Sequence, residues 1–477
     1  MTTALDDTAN HEAANHDTAP GGAARQAAAG LPRLLPQAPE DLQAHLSRYG
    51  TVPYRGRGGG HGYGQGQGQG QGRGPAGALI KDTEASGLTG RGGAAFPVYR
   101  KLAVVARAKG TRKVAVANGA ESEPASRKDE LLLRIAPHLV LDGLQLAAEA
   151  VGATEAHLYL HAAPGPQILR ALAERAARRL DPLPVSITQA PPRFLAGQET
   201  ALVNRLGGGP ALPTFQPPRV SERGLDGAPT LVQNAETLAH LALIARYGPC
   251  WFRAVGTEQE PGSMLTTVYR PDRRTEIHEV PTGVPLNALL PADAQAWLVG
   301  GYHGAWLALP DAAGLTLDHA SLRKYGASPG AGVLAALPAD RCGLTETARI
   351  VGYLAAESAG QCGPCLNGLP RIASALNELA GAGHRRQVRA DLERWAGLVI
   401  GRGACNHPDG TVRFVRSALR VFAPEIDRHA RGHCSAANHG AANHGAANHG
   451  AANHGAANRA PFLPIPDRRP TTEQDWL

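Results

Sequence analysis

The chain has 477 residues, 43% of them hydrophobic, which is enough for two to four soluble domains with separate cores. Its net charge of +7 comes from scattered Lys and Arg, which argues against a nucleic-acid partner. The sequence contains neither a run of roughly 18 apolar residues, as in a membrane helix, nor the regions of a signal peptide. Six cysteines, three of them clustered, indicate metal binding in a reducing cytoplasm rather than a disulfide framework.

Both ends of the chain are predicted to be disordered. Residues 1–75 are rich in Ala, His and Gln and end in GHGYGQGQGQGQGRG, which is too polar and flexible to bury a core. Only Pro39–Tyr49 has the amphipathic pattern of a short helix. Residues 426–477 contain four copies of AANHG, whose histidine spacing is neither helical nor that of a strand. The alternative for these histidines is adventitious metal binding.

Residues 76–255 alternate short apolar runs with helical segments. The predicted strands are Val114–Val116, His157–Leu160 and Val185–Thr188, and the predicted helices are Arg127–Val151 and Gln167–Arg178. This alternation predicts a doubly wound, Rossmann-like α/β domain with a parallel sheet.

A glycine-rich stretch precedes the first of these strands. Gly90, Gly92 and Gly93 allow the backbone to approach a ligand closely and to present its N–H groups. Arg91 and Lys101 add positive charge that suits a phosphate. A plain surface turn is the alternative, because a glycine-rich loop alone is a weak signal.

An acidic cluster follows the same strand. Asn118, Glu121 and Glu123 come directly after the apolar run, at the strand's carboxyl end. Open α/β sheets bind their ligands at this edge. The cluster therefore favours a ligand site over a surface turn.

The remaining chain changes character twice. Residues 256–336 contain predicted strands at Met264–Tyr269 and Thr275–Val280, followed by AWLVGG and AWLAL. Residues 337–425 have helical periodicity in four segments, which predicts a four-helix bundle.

Three cysteines lie within the helical part. ESAGQCGPC places Cys362 and Cys365 on one turn, and Cys405 follows after two helices. Iron–sulfur clusters are held by thiolates arranged in this way.

Four motifs resemble one family in the same order. TGRGGAAFP…K…NGAESEP resembles RGRGGAGFP…K…NADEGEP, the FMN-binding segment of the NADH-oxidising flavoprotein subunit of respiratory complex I. FLAGQETAL, PTLVQNAETL and ESAGQCGPC resemble that family's YxxGEETAL, PTTVNNVETL and ESCGxCxPC. Subunits of NAD-linked hydrogenases and formate dehydrogenases share these motifs. The resemblance covers about residues 76–424.

The resemblance implies a flavin and nucleotide domain over 76–255, an SLBB-like β-grasp domain over 256–336 and a helical Fe–S domain over 337–425. It also implies electron transfer from NAD(P)H through FMN to the cluster. The residues on family cofactor positions are Gly90, Arg91, Gly92, Gly93, Ala94, Phe96, Lys101, Asn118, Glu121, Gly197, Asn234 and Thr237. Glu123 and Glu199 match carboxylates that contact the nicotinamide nucleotide, and Phe96 matches an aromatic at the adenine end.

The cluster motif departs from the family at its first ligand. Cys362, Cys365 and Cys405 match three cluster cysteines, but Ala359 stands where the family has the fourth. A [4Fe–4S] or a [3Fe–4S] cluster is therefore compatible with the motif. His407 is a candidate nitrogen ligand of the kind that Rieske-type clusters use, and water is the alternative.

The nucleotide pocket also departs from the family. Ala120 replaces an Asp, Gln198 replaces the first acid of GEE, and QPPRV at Gln216–Val220 replaces KPPFP. Because two acids and one Lys are lost and one Arg is gained, NADPH or another donor remains an alternative to NADH.

Three functional readings follow. The first is a cytoplasmic electron-transfer subunit that serves a ferredoxin, a thioredoxin-like 2Fe–2S partner subunit or a membrane redox complex, peripheral to the inner face of the membrane. The second is a flavin diaphorase with a vestigial cluster. The third is a non-catalytic assembly subunit.

Overall fold

The computed structural model describes residues 30–53, 75–161, 163–436, 460–466 and 473–477. These residues form a parallel four-stranded sheet, a five-stranded mixed sheet and a helical C-terminal region. The strands are β1 (Val114–Gly119), β2 (Glu155–Leu160), β3 (Val185–Gln189), β4 (Thr230–Asn234), β5 (Ser263–Tyr269), β6 (Thr275–Pro281), β7 (Ala296–Val299), β8 (Ala305–Ala308) and β9 (Val333–Ala336). The helices are α1 (Leu42–Tyr49), α2 (Pro75–Ser86), α3 (Val98–Arg107), α4 (Lys128–Ile135), α5 (Pro137–Val151), α6 (Pro166–Ala177), α7 (Glu199–Leu206), α8 (Ala235–Arg253), α9 (Leu309–Ala312), α10 (His319–Arg323), α11 (Gly343–Ala356), α12 (Leu369–Ala380), α13 (Val388–Val399), α14 (His407–Val421) and α15 (Ala423–Ala430).

The parallel sheet has the strand order β3-β2-β1-β4. The chain moves outward from β1 to β3 and then returns to the other side of β1 for β4. The direction of winding therefore reverses between β1 and β4, where Asn118 lies opposite Asn234. Ligands bind at the carboxyl ends of the strands at such a reversal. The α/β prediction with a parallel sheet is confirmed, although β4 was not predicted.

The predicted helix over 127–151 is wrong in one respect, because it breaks in two. Pro137 begins α5, and Ala136 before it has φ −133° and ψ 50°. A proline disfavours helical backbone in the residue before it, which ends α4 at Ile135. Among the described helices, none is long and apolar enough by itself to cross a membrane. The α4–α5 pair meets that criterion only jointly and bends by 97°.

The expected disorder of residues 1–75 is wrong for residues 30–53. Leu34, Leu42 and Tyr49 are buried, and the Asp41 side chain caps α1 by accepting a 2.8 Å hydrogen bond from the Ala44 N–H. The His45 imidazole reaches Asp142 on α5, with 2.7 Å between Nε2 and Oδ2. The segment is ordered because these few apolar and ionic contacts bury its inner side. Residues 1–29 and 54–74 lie outside the described residues.

The five-stranded sheet has the order β6-β5-β9-β7-β8, and β9 was not predicted. Strand β9 runs parallel to β5, while the other neighbours are antiparallel. Alternate residues of β7 enter different cores, as the two-residue period of a strand requires. Trp297 packs among the residues around β5 and β6, and Leu298 packs against the C-terminal helices. The sheet is therefore buried on both faces.

The C-terminal region contains helices over each of the four predicted segments, with α15 added after them. The expected disorder of residues 426–477 is wrong for the described parts. Phe462 and Leu463 are buried against the helical core, and the Tyr302 hydroxyl donates to the Pro464 carbonyl. The Trp476 carbonyl accepts a 2.7 Å hydrogen bond from the Ala211 N–H. Residues 437–459, which hold the rest of the AANHG repeats, lie outside the described residues.

Candidate cofactor site

A cavity of about 690 Å³ lies at the reversal between β1 and β4. Its walls come from the glycine-rich loop, the loop after β1, the residues before α7, the β7–β8 turn and the loop before α14. The predicted site residues that line it are Arg91, Gly92, Gly93, Ala94, Asn118, Glu121, Glu123, Gly197, Asn234 and Cys405. The fold thus places the glycine-rich loop, the acidic residues after β1 and one predicted iron–sulfur ligand, Cys405, around the same cavity.

The glycine-rich loop is tied to the first turn of α8. The Arg91 N–H donates a 2.8 Å hydrogen bond to Thr237 Oγ1, and Thr237 is fully buried. Gly93 has φ 100°, a left-handed conformation that suits glycine. Ala95 has φ 49°, although the resembling family has glycine there, and this conformation costs alanine ~1–2 kcal/mol. Gly90 lines a small adjacent cavity instead of the main one.

The two cations predicted to meet a phosphate point elsewhere. The Arg91 guanidinium donates to Thr89 Oγ1 at 3.1 Å and to the Pro261 carbonyl at 3.3 Å. Lys101 Nζ pairs with Glu199 Oε1 at 2.8 Å, and neither residue lines the main cavity. The backbone of the loop, rather than these two charges, is therefore the part available to a phosphate. Phe96 also lies outside the cavity wall and is 37% exposed.

Besides Arg91, two further cations line the cavity, Lys128 and Arg413, and the sequence analysis missed both. Lys128 is buried and pairs with Asp129 at 2.9 Å and with Glu236 at 2.8 Å. These charges raise the pKa of Lys128 although its burial opposes them. The sequence signal was available, since RKDE follows the acidic cluster directly.

Glu121 holds the N-terminus of α4. Its carboxylate accepts hydrogen bonds from the backbone N–H groups of Lys128 at 2.8 Å, Asp129 at 3.2 Å and Glu130 at 3.1 Å, and from the Ser126 hydroxyl. Burial and the neighbouring Asp129 raise the pKa of Glu121 to about 7. Glu121 therefore fixes the cavity floor as well as lining it.

Glu123 stands between two cavities, the main one and a second of about 510 Å³ beside β2. Its Oε2 accepts a 3.0 Å hydrogen bond from the Tyr302 N–H. Its Oε1 is buried and has no hydrogen-bond partner among the described residues. Burial raises the pKa of Glu123 to about 8, although backbone hydrogen bonds from Tyr302 and Ala125 oppose the shift.

This shift predicts a pH dependence of stability. A carboxyl whose pKa is raised in the folded state stabilises the fold below its unfolded pKa, near 4.5, and loses that contribution as pH rises through about 8. Glu123→Gln is expected to flatten the decline in unfolding free energy between those pH values. Each pKa unit is worth ~1.4 kcal/mol, so ~2–4 kcal/mol is expected after allowing for the partial exposure of the residue. Urea unfolding at a series of pH values measures it, and equal slopes in both proteins would contradict the assignment.

Three residues interlock at the cavity wall. The Asn118 amide donates to the Gly197 carbonyl at 2.9 Å, and the Gly197 N–H donates to Ser122 Oγ at 2.9 Å. A Cβ on Gly197 would lie 2.2 Å from Ser122 Oγ and 2.9 Å from the Ala120 carbonyl oxygen. Only glycine fits at position 197, because Ser122 and the Ala120 backbone lie too close for a side chain.

Three thiols converge beside the cavity. Cys365 is buried in a π-helical turn over Pro364–Gly368, and Cys362 and Cys405 are partly exposed. Burial raises the pKa of Cys365 to about 12, and the neighbouring Cys362 and Cys405 sulfurs contribute to this shift. Such mutual repulsion between thiolates is relieved when they ligate cations. The three sulfurs are thus near enough to influence one another's ionisation, and their role as cluster ligands stays a prediction.

One nitrogen of the His407 ring is occupied by a hydrogen bond, whereas Nδ1 is buried without a hydrogen-bond partner among the described residues, so its role as a cluster ligand stays a prediction. Its Nε2 donates to the Leu354 carbonyl at 2.9 Å, and burial lowers the pKa of His407 to about 4. The ring packs against Phe194 and His303, with centroids 5.6 and 5.1 Å away. Both neighbours line the main cavity and were missed, although Phe194 occupies the Tyr position of the family's YxxGEETAL.

Comparisons with known proteins give two family matches along the chain. Residues 83–243 match the Nuo51 FMN-binding domain, and residues 345–429 match the NADH-ubiquinone oxidoreductase-F iron-sulfur binding region. The chain therefore contains an FMN-binding region of the Nuo51 type and an iron–sulfur binding region of the NADH-ubiquinone oxidoreductase F type, as the resemblance predicted. The matches coincide with the parallel-sheet region and with the helices that carry the three cysteines.

Two relatives and one solved structure are similar to this chain over about three quarters of its length. An NADH-quinone oxidoreductase F-type subunit of Rhizobium meliloti is 29% identical over 374 residues, covering 74% of this chain and 88% of the relative. The corresponding NADH-quinone oxidoreductase subunit of Streptomyces coelicolor is 29% identical, covering 74% and 83%. A solved NAD+-reducing [NiFe]-hydrogenase in the H2-reduced state is similar in fold, with a TM-score of 0.68 and 26% identity over 78% of this chain and 68% of that chain.

Proposed function

We propose that this protein oxidises NAD(P)H and passes the electrons through FMN and an iron–sulfur cluster to a partner subunit. One observation carries the proposal: a single cavity is lined both by the glycine-rich loop and by Cys405. Electron transfer between two cofactors requires them to lie close together, and this space joins the two cofactor-binding motifs.

The residues fit FMN. The backbone of 91–94, together with Asn118, Gly197 and Asn234, would hold the phosphate and ribityl chain, because these groups offer hydrogen bonds and leave room. When bound, FMN accepts two electrons together and releases them one at a time. Thr237 and Glu121 position this frame. The buried, unpartnered Oε1 of Glu123 is available to contact the nicotinamide nucleotide.

The other nucleotide residues take different roles in this proposal. Glu199 and Lys101 act as a positioning pair behind β4, since their charges satisfy each other at 2.8 Å. The partly exposed ring of Phe96 is accessible for stacking on adenine. Ala120 and Gln198 stand where the resembling family has acidic residues, so the pocket has less negative charge to repel the additional phosphate of NADPH. NADH and NADPH are therefore both candidate electron donors.

Cys362, Cys365 and Cys405 would hold the cluster through three thiolates. Ala359 cannot ligate iron, so three thiolates are available. In a [4Fe–4S] cluster one iron would lack a cysteine, whereas in a [3Fe–4S] cluster each iron would have one. Cys365 is buried and Cys405 lines the cofactor cavity, so a cluster held there would lie beside the flavin. This arrangement supports electron transfer rather than a two-electron diaphorase alone.

The domain assignments and partners are part of the proposal. We assign 76–255 to cofactor binding, 256–336 to an SLBB-like β-grasp domain around the five-stranded sheet, and 337–425 to cluster binding. The acceptor is a ferredoxin, a thioredoxin-like 2Fe–2S subunit or a membrane redox complex, reached from the cytoplasmic side. The names of the relatives as subunits of larger enzymes support a partner.

Visible absorbance of the purified protein tests the proposal. Flavin bands with a broad Fe–S shoulder are expected, and NADH or NADPH should bleach both. Flavin bands alone would favour the diaphorase, and neither would favour the assembly subunit. The same spectrum recorded with each nucleotide identifies the donor.

Gly197→Ala is expected to lower FMN occupancy at least ~tenfold, because the added Cβ displaces Ser122 and the Ala120 backbone from the cavity wall. Flavin released by denaturation and quantified by fluorescence measures the occupancy. Gly352→Ala is the matched control, since its Cβ would meet nothing within 4 Å. Equal FMN content in the two variants would contradict the placement of the flavin.

A further inference from the structure

A second cluster of metal-binding side chains lies away from the three cysteines described above. Cys342, Glu425, His429 and Cys434 each place one ligand atom within 4.8 Å of all the others. Cys342, Glu425 and His429 are buried, whereas Cys434 is partly exposed. Neither the family motifs nor the cofactor site uses any of the four.

The four residues come from three separate parts of the chain. Cys342 immediately precedes α11, Glu425 and His429 lie one turn apart on α15, and Cys434 follows that helix. The spacing of four residues puts the carboxylate and the imidazole on one helix face. The fold therefore brings the beginning of α11 and the end of α15 close together.

The distances match a tetrahedral zinc site. Zinc bonds of ~2.0 Å to nitrogen or oxygen and ~2.3 Å to sulfur give ligand-to-ligand edges of roughly 3.3–3.8 Å in a tetrahedron. The observed separations are 3.5 Å between Cys342 Sγ and His429 Nε2, and 3.3 Å between His429 Nε2 and Glu425 Oε1. The other separations among the four ligand atoms lie within 4.8 Å, so a bound zinc would draw the atoms together by at most roughly 1.5 Å.

The surroundings also suit a bound dication. Two thiolates and one carboxylate leave a net charge of −1 with Zn2+, and Arg428 offsets it through a 2.8 Å ion pair with Glu425. The Ser435 N–H donates to Glu425 Oε1 at 2.7 Å and orients the carboxylate. Such outer hydrogen bonds are a regular part of metal sites.

We propose that Cys342, Glu425, His429 and Cys434 bind one structural Zn2+ that joins the beginning of α11 to the end of α15. Two thiolates with an imidazole and a carboxylate suit zinc, and four protein ligands leave no open position for catalysis. The site is separate from the iron site, because α11 places Cys342 ~20 Å from the loop that precedes Cys362.

Metal analysis of the full-length protein, purified without a histidine tag, tests the proposal. Zinc and iron per chain are measured in the wild type, Cys342→Ser and Cys434→Ser after dialysis against EDTA. About one zinc per chain is expected in the wild type, with a loss of at least ~tenfold in both variants. Cys250→Ser is the matched control, because that exposed thiol lies outside the cluster.

Two further variants separate this site from other metal-binding groups. Cys365→Ser should lose iron and keep zinc. Replacing the four repeat histidines, His439, His444, His449 and His454, by alanine should also keep zinc. Zinc lost with either variant would overturn the assignment to this cluster.

A measurement on the wild type covers the case in which the cysteine variants do not fold. Replacing zinc by Co2+ should produce thiolate-to-cobalt charge-transfer absorbance, and the Cys365→Ser protein should give the same band. A wild type free of zinc and without that band would overturn the proposal. Peptide mapping that finds Cys342 disulfide-bonded to Cys434 would overturn it as well.

Discussion

Cys365→Ala is expected to remove the iron–sulfur cluster while leaving FMN bound. Cys365 is the buried central thiol of the three, and its loss leaves two partly exposed ligands. Iron and sulfide content should fall at least ~tenfold, and the cluster signal in low-temperature EPR after NADH reduction should disappear. NADH should still bleach the flavin, because the cavity wall at Gly197 and Asn118 is unchanged. An unaltered EPR signal would show that the cluster lies elsewhere.

Ala359→Cys is the gain-of-ligand counterpart. It restores the thiolate that the family has at this position, so iron loss on mild ferricyanide oxidation should be suppressed. An added thiolate also adds negative charge, which lowers the reduction potential. A wild-type cluster that keeps four irons after oxidation would show that a further ligand completes it. The double variant Cys365→Ala, Ala359→Cys again has three cysteines at the cluster, but in different positions. It therefore tests whether the number or the position of the thiolates decides cluster binding.

Asp142→Asn is expected to reduce the unfolding free energy by ~3–5 kcal/mol, the range for leaving buried charge uncompensated. Asp142 is 1% exposed and pairs with His45 at 2.7 Å, Arg175 at 2.7 Å and Arg246 at 2.5 Å. Asparagine keeps the shape and removes the negative charge that pairs with Arg175 and Arg246. Urea unfolding measures the change. Asp272→Asn, in an exposed turn, is the control and should differ little from the wild type.

The same network predicts the acid limit of stability. Burial of Asp142 opposes ionisation, but Arg246, His45 and Arg175 outweigh it and lower its pKa strongly. A lowered pKa gives stability that is present above the unfolded value, 3.8, and lost as pH falls through the folded value. The wild type should therefore lose stability below about pH 4 more steeply than Asp142→Asn.

The strands and loops of the cofactor domain were largely predictable, whereas the ends of the chain were not. Apolar runs such as Val114–Val116 indicate buried strands because both faces of a parallel sheet are covered. Strand β4 was missed, since TLVQN is short and mixes polar with apolar residues. Residues 30–53 were missed because average composition does not register a few buried contacts, such as those of Leu34 and Tyr49.

The sequence predicted the site residues correctly where the backbone determines which residues reach the cavity. It was wrong where the direction of a long side chain determines this. The glycine loop, Asn118 and Gly197 reach the cavity because strand ends and close approach fix them. The charges of Arg91 and Lys101 are directed elsewhere, because flexible side chains follow partners such as Glu199 that are remote in sequence. The proposed zinc ligands were not predicted for a similar reason, since 92 positions separate Cys342 from Cys434 in the sequence.

The AANHG repeats join two fixed points of the fold. Ala436 is fully buried, and the Ala460 carbonyl accepts a 2.5 Å hydrogen bond from Arg341. Both ends of the repeat segment are therefore attached to the helical region, one by burial and the other by a hydrogen bond. A single proteolytic cut within the repeats should then leave both pieces of the chain bound to the folded protein, so the cut protein would elute as the intact one does from a sizing column.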